Sequence, residues 1–383
     1  MQTQADQLED IDSFITTAVL SPADNVEGGA GNLSDVGPLS LPQVVSECAI
    51  TNSSGDGVCS DDRTVAAISQ MLPPDQRHGT RPEIVQRAAA LVGADDERGV
   101  IMSTQFASTA GTSLQQEALA KYFKIQGPTD VSLLSNINID KTLVQWNGVW
   151  RDFYPYNYNM RDYAEYGGSL ATVHLDELYR RGFRTAACVI NSDYNHNRGK
   201  HWMALFVDMR NSSHFTVEFF NSSGNHPLPE FARWMTNAQQ TLSKIAPTES
   251  IVVARVKHQY SRTECGVYAL YYIYSRLNGI SYEQFRDNPV PDEVMFEFRQ
   301  HLFYDPKRPA VNGSFDINAF QNSTSVQMEE SRHADVSVSG GSIESTTSEA
   351  SECVIAVRVC SADAQRQLEE WCRNTGGKCV IVD

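Results

Sequence analysis

Three features of the sequence predict an α+β fold. They are helical patterning across residues 44–135, short apolar strands gathered between residues 185 and 256, and a nearly unbroken apolar and aromatic run at Cys265–Leu277. Helices and strands segregated along a chain favour this class over an alternating one. In the helical part, Ser60-Asp61-Asp62-Arg63 caps a helix at 64–72, Pro82 opens one at 83–92, and Ser113 begins one at 114–123. Trp146, Trp150, Phe153, Tyr154, Tyr156 and Tyr158 follow as an aromatic cluster, read as core packing. A helix at 175–181, with Arg180, Arg181 and Arg184 on a solvated face, leads to a strand at 185–190. The apolar run 201–208 reads as a buried strand, Phe215–Phe220 as its antiparallel neighbour by near-alternation, and 251–256 as a third strand. Cys265–Leu277 reads as a buried helix stopped by Asn278-Gly279, and 291–303 as a closing helix.

Around this core of residues 44–305, helical over 44–135 and carrying sheet and buried helix over 136–305, the composition changes. Residues 1–43 read as a flexible arm, rich in Gly, Ser and Pro beyond a short amphipathic stretch. Residues 306–352 are biased toward Ser, Thr, Glu, Gly and Asn, the composition of a disordered linker. A βαβ pattern follows in 353–383, with strands at 353–359 and 379–382 and a helix at 362–372. A unit of that size buries too little surface to stand alone, so it is expected to dock on the core, another copy or a scaffold partner.

Four residues carry chemistry. A cysteine attacks a carbonyl as thiolate, so its site must favour the anion, and Cys265 lies at the predicted positive end of a buried helix. His201, at the start of a strand, can act as general base and then general acid. Asn221, ending the next strand, can orient the imidazole, and Gln259 can point its amide N–H at an oxyanion beside the Cys265 backbone N–H. Taken singly each has an ordinary reading: a cysteine in an apolar segment is a small buried hydrophobe, a loop glutamine is solvated, and Asn-Ser-Ser-Gly is a turn. The four together, in this order, outweigh those readings. Trp202 is a candidate substrate-binding residue that shields the imidazole, and Asp208 a substitute orienter. His196 reads as a solvated loop residue near the cleft rim, and His258 as structural.

The order His-Trp, Asn twenty residues on, Gln, and then Cys six residues later in Glu264-Cys265-Gly266-Val267-Tyr268 resembles the adenain and ubiquitin-like-protein protease clan, over residues 44–305. Within it the chain looks most like the maturation proteases of large cytoplasmic DNA viruses, the African swine fever virus polyprotein-processing type. The resemblance implies a papain-like α+β fold, its helical N-terminal part packed on a mostly antiparallel central sheet and contributing to the cleft. It also implies His201, Asn221 and Cys265 as a triad with Gln259 as oxyanion residue, and a cysteine endopeptidase cleaving after Gly-Gly-Xaa in viral structural polyproteins during virion maturation. Asn221 departs from the Asp usual in de-conjugating members, and an uncharged orienter stabilises imidazolium less. A de-ubiquitinating or de-SUMOylating isopeptidase is the alternative, and an acyltransferase of the same clan a second one. Gly28-Gly29-Ala30 and Gly340-Gly341-Ser342, in the flanks, are candidate self-processing sites.

Composition fits an enzyme in a reducing compartment. The 383 residues, 41% hydrophobic and 20% charged, are ample for a core. The eight cysteines are dispersed, Cys48 and Cys59 among them, without the paired spacing of a zinc site, so no metal is expected. No phosphate loop or dinucleotide fingerprint occurs, so no cofactor is expected either. The N-terminus lacks a basic region and an apolar core, and no stretch approaches a membrane span. The expectation is therefore a protein of host cytoplasm and virion that is not secreted. A net charge of −16 argues against nucleic acid as a partner and leaves a protein or polyprotein substrate with a Gly-Gly motif.

Overall fold

The computed structural model describes residues 47–52 and 55–307 in full and residues 355–358 and 379–382 as backbone. The expected arm at 1–43, the linker beyond residue 307, the helix at 362–372 and both Gly-Gly pairs lie outside the described residues. The chain divides into two compact units, Met1–Ser325 and Val326–Asp383.

Among the described residues of the first unit, five α-helices come first. They are α1 (Asp62–Met71), α2 (Arg81–Val92), α3 (Glu97–Met102), α4 (Thr104–Ala110) and α5 (Thr112–Tyr122). Local chemistry sets their starts. The Asp61 side chain accepts from the Thr64 N–H at 2.9 Å, which begins α1 two residues earlier than its apolar pattern. Thr80 and Glu83 form a capping box at α2, with Pro82 in its first turn. These helices close over a satellite core that includes Ile68, Ala88, Val100, Phe106 and Phe123. Cys48 and Cys59 form a disulfide at its edge, with Cα atoms 5.2 Å apart. Reading these two as merely dispersed thiols missed this bridge. Closing so short a loop stabilises the fold by roughly 3 kcal/mol in the chain-entropy picture while the bridge is oxidised, a state that the reducing compartment expected above opposes.

The remainder is built on a sheet. In chain order come β1 (Ile125–Gln126), α6 (Asn136–Asn147), β2 (Phe153–Pro155), α7 (Ser169–Thr172), α8 (Leu175–Arg180), β3 (Thr185–Asn191), β4 (Trp202–Asp208), β5 (Phe215–Phe220) and α9 (Pro229–Leu242). β6 (Thr248–Val253), α10 (Cys265–Leu277), α11 (Tyr282–Asp287), α12 (Asp292–Leu302) and β7 (Phe303–Tyr304) follow. Five strands form one sheet in the order β2-β3-β4-β5-β6, antiparallel at β3/β4 and β4/β5 and parallel at both edge pairs. Alternate residues divide between two faces. Val189, Ala204, Phe206 and Phe220 meet α6, α10 and α12, while Ile190, Leu205, Val217 and Phe219 meet α8 and α9. Burial on both faces explains why β3 and β4 read as continuous apolar runs.

β6 begins and ends three residues before the predicted 251–256, so residues 254–256 leave the sheet and carry the chain toward Gln259. α10 matches its predicted bounds, and every one of its residues is buried. A helix enclosed on all sides has no solvated face, which accounts for a sequence that is apolar or aromatic up to Ser275 and Arg276 in its last turn. It stops at Asn278, followed by Gly279 at φ +85°. The aromatic cluster is packing: Trp146 and Trp150 meet Tyr274 at centroid distances of 5.4 and 5.9 Å, and Tyr158 sets its edge on Trp202 at 6.1 Å. In the second unit β8 (Ile355–Arg358) and β9 (Cys379–Val382) pair in parallel.

Candidate active site

The antiparallel ladder of β4 and β5 builds the first half of the site. Ala204 pairs with Phe220, so the same register, carried just past the strand ends, brings residues 221–223 alongside His201. The His201 Nε2 lies 2.7 Å from the Asn221 Oδ1. The Asn221 amide is held from three other directions. Its Oδ1 accepts from the Ser223 N–H at 3.1 Å and the Ser223 hydroxyl at 2.9 Å, and its Nδ2 donates to the Asn225 carbonyl at 2.9 Å. An amide tied down in this way presents oxygen to the imidazole, so Nε2 carries the hydrogen and Nδ1 keeps its lone pair. The turn reading and the orienting reading of Asn221 thus describe one arrangement: the side-chain turn that closes on Ser223 also fixes which end of the amide faces the ring. Burial pushes the His201 imidazole below its ordinary pKa, and the bond to Asn221 opposes that shift.

Gln259 lies in the loop between β6 and α10 and is nearly buried. Its Nε2 donates to the Ser261 carbonyl at 2.9 Å, and its Oε1 accepts from the Ser222 hydroxyl at 2.8 Å. The loop itself is pinned by Asp292 at the start of α12, which accepts from the N–H groups of Tyr260 (2.9 Å) and Ser261 (2.7 Å), and from the Ser261 hydroxyl (3.0 Å). The Tyr268 hydroxyl donates to the same carboxylate at 3.1 Å.

Cys265 is the first residue of α10, and no side chain caps that helix start, which leaves its early N–H groups for other partners. Burial pushes the thiol pKa up, while hydrogen bonds from the backbone N–H groups of Trp202, Gly266 and Cys265 itself pull it down. The preceding residue, Glu264, is fully buried and paired with Arg299 of α12 at 2.7 Å. Arg299 also donates to the carbonyls of Pro128 and Thr263, at 3.2 and 3.5 Å, so one guanidinium joins three segments at the helix start. Gly266 answers to a close approach. A Cβ there would stand 3.2 Å from Leu134 and 3.2 Å from the Trp202 ring, tighter than side chains usually pack.

The other candidates fall where their chemistry suggests. Trp202 is buried, and its indole N–H donates to the Leu134 carbonyl at 3.1 Å. Asp208 sits at the other end of β4 from His201, held by Arg210 at 2.5 Å and Arg276 at 3.1 Å, and is not the orienter. His258 is buried, with its Nδ1 accepting from the Val290 N–H at 3.0 Å. His196 is exposed and stacks on Tyr194. Among the described residues no three His, Cys, Asp or Glu side chains converge as a metal site, and no helix is long and apolar enough to cross a membrane. Sequence reasoning missed Ser222, Arg299 and Asp292. Glu264 stood beside the cysteine in the motif, but its partner lies a whole helix away, and Ser222 had no signal beyond its place next to Asn221.

Residues 190–312 match the model of the Ulp1 protease family, C-terminal catalytic domain. A SUMO-1 cysteine protease of African swine fever virus is 36% identical over 230 residues, covering 55% of this chain and 84% of that protein. A second isolate's cysteine protease matches to the same extent. The crystal structure of the African swine fever virus protease superposes with a TM-score of 0.56 at 30% identity, covering 69% of this chain and 98% of the other. A thiol at the start of a buried helix, an imidazole oriented by a neighbouring strand end and an amide fixed in the intervening loop, together with these likenesses, place the chain in the Ulp1-type cysteine protease family that includes the African swine fever virus enzyme.

Proposed function

We propose that the chain is a cysteine endopeptidase that cleaves after Gly-Gly-Xaa sites in structural polyproteins during virion maturation of a large DNA virus, working in host cytoplasm and virion. The observation that carries the site assignment is the 2.7 Å contact of His201 Nε2 with Asn221 Oδ1, which leaves Nδ1 as the basic nitrogen. In this reading Nδ1 takes the Cys265 thiol proton as sulfur attacks the scissile carbonyl carbon. The carbonyl π electrons move onto oxygen, where the oxyanion is met by the Cys265 backbone N–H and the unused Nε2 hydrogen of Gln259. Collapse breaks the C–N bond, and His201 returns its proton to the departing amine. Water, deprotonated by His201, then hydrolyses the thioester and restores the thiol. Trp202 walls the cleft beside the imidazole, and glycines in the substrate suit a narrow cleft because no Cβ obstructs the thiolate. No cofactor enters this sequence of steps. Residues 353–383 serve to recruit the enzyme to a scaffold, and a chain lacking 306–383 keeps peptide cleavage.

A second reading follows from the viral relative, a SUMO-1 cysteine protease: de-conjugation of a ubiquitin-like modifier by the same residues. The two separate in one experiment. Purified wild type and Cys265→Ala are offered Gly-Gly-Xaa peptides together with ubiquitin and SUMO C-terminal fusions. Cleavage of short peptides by wild type alone is the expected result. Cleavage confined to the folded fusions would replace the endopeptidase reading, and turnover by Cys265→Ala would remove the nucleophile assignment.

A further inference from the structure

The geometry points to Ser222 as a positioning residue for the oxyanion amide, and we propose that its hydroxyl acts on the rate through Gln259. This inference rests on the oxyanion role given to Gln259 above.

Ser222 is 1% exposed and touches Gln259 twice. Its carbonyl accepts from the backbone N–H groups of both His258 and Gln259 at 2.9 Å, which anchors the loop. Its hydroxyl is 2.8 Å from the Gln259 Oε1, which anchors the side chain. The second bond has a fixed direction. The Ser261 carbonyl, 2.9 Å from the other end of the amide, can only accept, so that end must be the NH2 group. The end facing Ser222 is therefore the oxygen, and the serine must donate. With Oε1 and one Nε2 hydrogen both engaged, the amide plane is set and a single Nε2 hydrogen remains to be aimed.

Asn221 and Ser222 are consecutive residues at the exit of β5. One presents oxygen to the base, and the other receives none of the reacting atoms but holds the group that meets the oxyanion. A short strand end therefore registers both halves of the machinery against each other. Pre-set donors are worth more than free ones because no reorganisation is needed as the charge develops. A hydroxyl that prevents the amide from rotating thus acts on kcat rather than on substrate binding.

The test compares Ser222→Ala, Gln259→Ala and the double variant on whichever substrate wild type cleaves in the profile above, with iodoacetamide alkylation of Cys265 followed in parallel. Losing one neutral hydrogen bond of about 1 kcal/mol should lower kcat about fivefold with KM unchanged. In the Gln259→Ala background the serine substitution should cost nothing further, and the alkylation rate should stay at the wild-type value. Ser222→Thr, which keeps the hydroxyl, should recover most of the rate. Wild-type kcat in Ser222→Ala alongside a slow Gln259→Ala overturns the positioning role alone. Additive losses in the double variant, or alkylation falling in step with kcat, overturn it in favour of general support. A wild-type rate in Gln259→Ala overturns the oxyanion reading itself.

Discussion

The two ends of α10 solve opposite problems. At the C-terminal end the buried charges are paired, although the Ser275 hydroxyl has no hydrogen-bond partner among the described residues. Arg276 donates to both oxygens of Glu218 at 2.8 and 2.9 Å and to Asp208 at 3.1 Å, while Tyr272 and Thr216 each donate to Glu218 at 2.6 Å. A cation at this end also complements the helix dipole. The N-terminal end carries a buried pair too, Glu264 with Arg299, but no side chain occupies the first N–H groups, and the next residue is the thiol. The buried charge is paired where the helix is anchored, and the first N–H groups are left uncapped where it carries Cys265.

Substitutions at the two arginines test that contrast most directly. Arg276→Ala and Arg299→Ala each strand a buried carboxylate, and each should destabilise by about 3–5 kcal/mol, read as a lowered denaturation midpoint. Only Arg299→Ala should also slow alkylation of Cys265 at fixed pH, because the Glu264 charge, which raises the thiol pKa even beside Arg299, then acts without a paired cation. Equal alkylation rates in the two variants would erase the difference drawn between the ends. Gln259→Ala should raise the barrier by about 2.7–4 kcal/mol in kcat if its side chain meets the oxyanion, with a stability loss of about 1–3 kcal/mol from the stranded Ser222 hydroxyl. A loss confined to KM would remove it from the reacting atoms.

The pH profile offers the smallest and most specific effect. Burial lowers the His201 pKa, so the imidazole stays neutral, and able to accept the thiol proton, below the ordinary value of about 6.5. Burial raises the Cys265 pKa, so the alkaline limb of kcat/KM should lie above the ordinary thiol range. Asn221→Asp places a negative charge against Nε2, favours imidazolium and should move the acid limb to higher pH. An unmoved limb would mean that the group titrating there is not the imidazole beside residue 221.

Much of this was legible because the chemistry is ordered along the chain. His201, Asn221, Gln259 and Cys265 follow one another at spacings that a strand, its neighbour, a loop and a helix start impose, and the boundaries of β5 and α10 could be read from apolar runs alone. What could not be read depends on contacts between distant segments. The parallel edge pairing of β2 with β3, the Glu264–Arg299 pair and the hold of Asp292 on the glutamine loop join residues that no periodicity relates. The Cys48–Cys59 bridge escaped for a different reason: spacing that suits no metal site was taken to suit nothing.

The complete burial of α10 bears on how the enzyme can be controlled. Amides in such a segment exchange with solvent only when the whole unit opens, so Cys265, the proposed nucleophile, is carried by the part of the molecule that unfolds last. Fraying or melting of that helix is not available as an off-switch short of denaturation. Control of this protease has to fall on what surrounds the thiol, the glutamine loop and the cleft walls, where an activator or inhibitor can move a side chain without disturbing the element that carries the sulfur.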